Sequence, residues 1–186
     1  KLFVQNGLKD GPIQTIIREA RKQGTVIDFL PKERLDEMSS TGKHQGVIAY
    51  IAAYTYVEVE DILKIARDKG EDPFIFFLDE VEDPHNVGAI IRTANAVGAH
   101  GVVLPKRRAS GLTATVAKAS AGALNYVPVA RVTNLSKTME ALKEEGMWFV
   151  CADMDGTEMY DLNLTGSIGL VIGNEGSGVS PLVSKT

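Results

Sequence analysis

Residues 74–99 read FIFFLDEVEDPHNVGAIIRTANAVGA, and the stretch changes character twice. Residues 74–78 are a continuous apolar run of strand length, residues 79–88 are polar and carry Pro84, and residues 89–97 return to apolar positions at helical spacing. The pattern predicts a strand, a loop and a helix. Where such units repeat, the sheet is parallel and ligands sit beyond the carboxyl ends of its strands, which is where this loop falls. Asn86 in the loop and Arg92 on the helix are the first candidate functional residues.

Downstream the alternation continues. Strands are expected over 101–104, 127–132, 148–152 and 167–172, with helices over 113–121 and 135–145 and a further helix start at Ser180 and Pro181. Upstream, residues 1–4 read as a strand with nothing before it, so a preceding part is expected. Asp10, Gly11 and Pro12 start a helix with a stripe of Ile13, Ile16, Ile17 and Ala20, which Gly24 ends. A strand over 25–30, a short helix over 31–38, the polar loop SSTGKHQG at 39–46 and a strand over 47–53 complete a small α/β unit. The reading is therefore two domains, 1–56 and 73–186, joined by a linker over 57–72 that holds one amphipathic helix (Val59, Ile62, Leu63, Ala66).

Composition narrows the function. At 186 residues with 44% hydrophobic and 24% charged residues, the chain suits one ordinary core plus a small companion. It has no apolar run long enough for a membrane span, no secretory signal pattern, and a single cysteine, Cys151, so a cytoplasmic protein is expected. The net charge of -4 argues against coating nucleic acid by bulk electrostatics but leaves room for a local patch, for which Lys106, Arg107 and Arg108 are the candidate. His44, His85 and His100 are scattered, so no metal site is expected.

Three loops that follow strands should converge on one sheet edge: 79–88, 152–156 and 173–178. The third carries glycine at 173, 176 and 178, a spacing unlike the dinucleotide fingerprint but one that lets backbone approach a ligand closely. Each polar residue here also has an ordinary explanation. Asn86 suits a helix N-cap, Arg92 a surface helix, Glu175 a solvated loop, and His85 loop packing.

The 78–99 segment, LDEVEDPHNVGAIIRTANAVGA, resembles the first signature of the SpoU (TrmH-like) RNA ribose 2'-O-methyltransferases of the SPOUT superfamily, and 171–180, VIGNEGSGVS, resembles the second. The HQGV at 44–47 is similar to the L30e-like substrate-binding domain of the branch that methylates guanosine of 23S rRNA. The resemblance implies an α/β fold in which a SPOUT-type trefoil-knotted parallel sheet domain follows a small N-terminal L30e-like α/β domain. It implies S-adenosylmethionine as methyl donor, RNA as substrate and a homodimer. Asn86, Arg92 and Glu175 become catalytic residues. Ala152, Asp153, Met154, Ile172, Gly173, Asn174, Gly176 and Gly178 become cofactor-binding, and His44, Gln45, Lys106, Arg107 and Arg108 RNA-binding. The family's third signature, a serine- and asparagine-bearing tail, is expected beyond residue 186.

Two functions of different class follow: an RNA 2'-O-methyltransferase acting on 23S rRNA or on transfer RNA, and a non-catalytic RNA-binding, ribosome-associated protein. The presence of Asn86, Arg92 and Glu175 together favours the enzyme.

Overall fold

In a computed structural model, which describes residues 1–9, 11–50 and 54–186, the chain separates into two units, Lys1–Ala53 and Tyr54–Thr186. The first contains β1 (Leu2–Gln5), α1 (Gly11–Lys22), β2 (Ile27–Leu30), α2 (Lys32–Met38) and β3 (Val47–Ala49). β1 is central, parallel to β2 and antiparallel to β3. Leu2, Val4, Ile13 and Ile17 form its core. Ile16, expected in the buried stripe, is 43% exposed, because α1 meets a narrow sheet along the Ile13–Ile17 line alone. Asp10 of the expected helix start and positions 51–53 of the expected third strand lie outside the described residues.

The second unit holds α3 (Val59–Lys69), β4 (Phe74–Leu78), α4 (Pro84–Ala96), β5 (Gly101–Pro105), α5 (Ala114–Ala119), β6 (Val129–Val132), α6 (Leu135–Glu144), β7 (Trp148–Cys151), β8 (Ile168–Ile172) and α7 (Pro181–Ser184). The five strands are parallel in the order β6-β5-β4-β8-β7. Alternate residues of β4 serve opposite faces, as a pleated strand buried on both sides requires. Phe76 and Leu78 join α4 and α5 (Val87, Ile91, Val116), while Ile75 and Phe77 join α3 and α6 (Ile62, Leu63, Met139, Leu142).

The segment read as a linker thus contributes core. Glu58 and Asp61 form a capping box that starts α3, and Ile62 and Ala66 are fully buried. α4 also departs from expectation, starting at Pro84 rather than near residue 89. Asp83 accepts the His85 N–H at 2.7 Å as N-cap, and Pro84 occupies the first turn, where its missing N–H costs nothing. Asn86 is consequently inside the first turn and is not the cap.

Strand order reverses between β4 and β8. From β4 the chain winds outward through β5 to β6, then crosses to the opposite edge at β7 and returns to place β8 against β4. Such a switch point opens a crevice at the carboxyl ends of its two strands. Here those ends carry residues 79–83 and 173–178.

Candidate active site

The two loops at the switch point are bonded together. Asp79, 5% exposed, donates its N–H to the Ile172 carbonyl (2.8 Å), and its carboxylate accepts the Ser180 N–H (2.7 Å) at the start of α7. Asn174 organises the turn beyond β8. Its Oδ1 accepts from the N–H groups of Gly176 (2.9 Å) and Ser177 (3.3 Å), its Nδ2 donates to the Glu80 carbonyl (3.0 Å), and its backbone exchanges two hydrogen bonds with Gly178. Gly178 takes φ +68, and a side chain on Gly173 would lie 2.2 Å from the Gly178 carbonyl carbon, so the spacing of these glycines reflects a backbone folded tightly on itself.

Glu175, at the turn's tip, accepts a hydrogen bond from Nδ2 of Asn86. Two residues 89 positions apart in sequence thereby meet, because β4 and β8 are neighbours. Arg92 stands apart from them. Six residues after Asn86 it lies about 9 Å farther along α4, exposed and without a hydrogen bond or ion pair among the described residues. His85 is exposed on the first turn of α4.

Ala152, Asp153 and Met154 line a different feature, a groove of about 860 Å3 along β7 and β8. Its walls are apolar: Phe74, Val150, Leu162, Leu164, Ile168 and Leu170. The Ala152 N–H bonds to the Val171 carbonyl (2.9 Å), so the chain leaves β7 beside Ile172. Ile172, Gly173, Asn174, Gly176 and Gly178 do not line the groove; they form the bonded turn next to it. Cys151 also faces the groove, and burial, reinforced by the charges of Asp153 and Asp79, pushes its thiol pKa up.

The basic triplet divides. Lys106 and Arg107 are exposed and free of side-chain partners among the described residues, whereas Nη1 of Arg108 pairs with Oε1 of Glu80 at 2.7 Å, which raises its pKa further above the ordinary arginine value. Both members of that pair have positive φ, +54 at Arg108 and +57 at Glu80, a conformation that costs a non-glycine residue about 1 kcal/mol or more. Sequence reasoning missed Glu80, whose backbone shape has no local signature. It also missed Arg131 at the end of β6, which donates to the Lys106 carbonyl (3.1 Å) and stacks over Tyr56 at 5.3 Å.

In the first unit, His44 is turned inward. Its side chain is 5% exposed, Nδ1 accepts the Gly46 N–H (2.9 Å), and Nε2 faces an Asp36 carboxylate oxygen at 2.8 Å. The imidazole holds the loop, and the exposed side chain it leaves is that of Gln45, at φ +51.

Residues 73–186 match the model of the SpoU rRNA methylase family, and residues 1–57 match that of the RNA 2'-O ribose methyltransferase substrate-binding domain. The chain belongs to the SpoU rRNA methylase family. It is 52% identical over 187 residues to YacO of Bacillus subtilis, assigned to the TrmH family of tRNA/rRNA methyltransferases, with 100% of this chain and 74% of that protein covered. A Staphylococcus epidermidis protein of the same description is 44% identical over 185 residues, again covering 74% of the relative. Among solved structures, the SpoU methyltransferase AviRb of Streptomyces viridochromogenes, in complex with AdoMet, superposes with a TM-score of 0.77 at 22% identity, covering 99% of this chain and 68% of that one. A TrmH family RNA methyltransferase of Porphyromonas gingivalis gives 0.71 at 26% identity, covering 99% and 68%. The SPOUT fold expected from the sequence is the fold observed.

Proposed function

We propose that this chain is an S-adenosylmethionine-dependent RNA ribose 2'-O-methyltransferase whose substrate is a guanosine of 23S rRNA. The observation that carries the reading is the Asn86–Glu175 bond, which joins the two signature loops across the switch point. The groove suits the cofactor: apolar walls for an adenine, the exposed carboxylate of Asp153 for hydroxyl or ammonium groups, and backbone at Ala152 and Met154 open to contact. S-adenosylmethionine supplies a methyl group on a good leaving group.

The protein's own residues have the remaining tasks. The bonded 173–178 turn fixes the floor beside the groove, so little reorganisation is needed when substrate arrives. Asn86, held by Glu175, presents a fixed amide on the first turn of α4. Arg92, exposed and without a partner among the described residues, is a cation free to meet the developing alkoxide and the adjoining phosphate. A guanidinium does not give up its proton in a protein, so Arg92 acts by charge, and the 2'-hydroxyl proton leaves to water or a phosphate oxygen. Lys106 and Arg107 provide phosphate contacts, and Gln45 meets RNA from the first unit.

A homodimer, the trefoil knot and a cytoplasmic setting belong to the same reading. Exposed Val97 at the end of α4 and Leu182 on α7 support the dimer, and sedimentation tests it. The position of β8 between β4 and β7 supports the knot. No helix among the described residues is long and apolar enough to cross a membrane.

The decisive experiment supplies methyl-labelled S-adenosylmethionine with 23S rRNA or with transfer RNA, digests the product and identifies the labelled nucleoside. Labelled 2'-O-methylguanosine from 23S rRNA is expected. Label on transfer RNA alone would move the substrate, and no transfer to either would leave the RNA-binding reading.

A further inference from the structure

The substrate-binding unit and the methylase unit carry opposite charge. Residues 1–53 hold eight Lys and Arg against six Asp and Glu, and residues 54–186 hold twelve against eighteen. A polyanion is repelled on average by the second unit, so attraction must come from local loops there and from the first unit. Within the first unit the basic residues are not spread evenly.

α1 buries Ile13 and Ile17 and turns Gln14, Thr15, Arg18, Arg21 and Lys22 to solvent. At 100° per residue, Gln14, Arg18 and Arg21 fall within about 60° of one another, and Lys22 and Thr15 extend the same face to about 120°. These five side chains and Ile17 line a shallow depression of about 580 Å3. Arg18 Nε and Lys22 Nζ both reach one oxygen of Glu19, at 3.3 Å and 3.1 Å, and Arg21 has no partner among the described residues. The face therefore has three cations against one carboxylate. Cations in a last turn complement the helix dipole, which accounts for Arg21 and Lys22 but not for Arg18 a turn earlier.

We infer that this face of α1 is a track for the RNA sugar-phosphate backbone, with Arg18, Arg21 and Lys22 contacting phosphates. Gln14, whose Nε2 donates to the Leu8 carbonyl (3.2 Å), keeps a second N–H for a phosphate or ribose oxygen, and Thr15, whose hydroxyl donates to the Gly11 carbonyl (3.1 Å), accepts from a ribose hydroxyl. The inference rests on the proposal above that the substrate is RNA. Glu19 holds two of the cations only in exposed, shared pairs, which contribute little to stability, so a phosphate displaces them at small cost. The track binds backbone and not sequence, and it supplies register and attraction while the methylase unit supplies the chemistry.

The test is RNA affinity as a function of salt for the full chain and for Arg18→Ala/Arg21→Ala/Lys22→Ala, using a labelled 23S rRNA fragment. Alanine retains helix propensity and the three residues are exposed, so the fold should be kept and the loss of two last-turn cations should lower the melting midpoint only slightly. Loss of three contacts should lower the slope of log affinity against log salt by about 2 to 3 and weaken binding about tenfold or more at 0.1 M salt. Lys64→Ala, which removes an exposed lysine paired with Asp68 on α3, is the control and should change neither. Wild-type binding with an unchanged slope in the triple variant overturns the track and leaves the RNA reading intact. A wild type that binds no RNA at any salt overturns both.

Discussion

The turn at residues 173–178 and the basic surface of α4 and the β5 loop belong to the same unit but are built in opposite ways. In the turn, Asn174 spends its donor and acceptor on neighbouring backbone, Glu175 is held by Asn86, and Gly173 has no room for a methyl group. On the basic surface, Arg92, Lys106 and Arg107 have no side-chain partner among the described residues. The turn stands beside the groove without lining it, and a segment bonded in advance holds the adjoining chain in place, where ordering it on binding would subtract from affinity. A flexible polyanion rewards cations that are exposed and uncommitted. The two regions should consequently fail differently, the turn by losing structure and activity together and the surface by losing activity alone.

The largest effect should come from Gly173→Ala. Its methyl group would sit 2.2 to 2.3 Å from backbone atoms of Gly178 and Val179, none of which can rotate away. Overpacking of this kind costs about 1–3 kcal/mol or more, and the shifted turn should abolish methyl transfer. Urea unfolding followed beside the methylation assay checks it; a fully stable and active variant would show that the turn is looser than its contacts imply.

Arg92→Ala should leave the unfolding midpoint in place while lowering kcat by about 100-fold or more, in line with loss of one transition-state charge contact. Arg92→Lys keeps the charge without the planar fork and should lose only about 10- to 100-fold. A lysine variant whose rate climbs steeply above pH 9 while wild type stays flat would instead make position 92 the base.

That division was only partly legible in sequence. The apolar run at 74–78 predicts β4 to the residue, and the strand–helix alternation predicts the parallel sheet. The start of α4 is less legible, because Asp83-Pro84 reads as loop polarity when it is a capped first turn. The Asn86–Glu175 contact depends on β8 lying beside β4, a long-range fact of strand order that no local pattern encodes. Glu80 has no local signature for a related reason: the partners of its side chain and carbonyl, Arg108 and Asn174, are both remote in sequence. The inward turn of His44 rests on nearer partners, Asp36 on α2 and the Gly46 N–H, but no spacing pattern marks a polar side chain that folds back on its own loop.

On the basic surface a smaller effect is expected. Lys106→Ala/Arg107→Ala should reduce the salt slope of RNA binding by about 1.5 to 2, while Arg108→Ala should reduce it by less than one, since Arg108 is already engaged by Glu80. Equal slope changes for Lys106→Ala, Arg107→Ala and Arg108→Ala, each made alone, would mean that the Glu80 pair opens on RNA binding and that the triplet acts as one patch.

The smallest effect concerns Cys151, which faces the groove beside the turn. Burial and the negative charges of Asp153 and Asp79 raise its pKa, so the neutral thiol predominates further into alkaline solution than for an exposed cysteine. Because the folded-state pKa lies above the unfolded one, the resulting stabilisation is complete below the unfolded value. It is lost as pH rises through the folded value. Alkylation of Cys151 near neutral pH should accordingly be slower than that of a free thiol, and its rate should begin to climb at higher pH. Unfolding midpoints should fall slightly more on the alkaline side in wild type than in Cys151→Ala. S-adenosylhomocysteine should slow the alkylation further if the groove is the cofactor site, since Cys151 and Ala152 share its wall. Rapid labelling near neutrality would contradict the burial argument, and labelling indifferent to saturating S-adenosylhomocysteine would place the cofactor away from this groove.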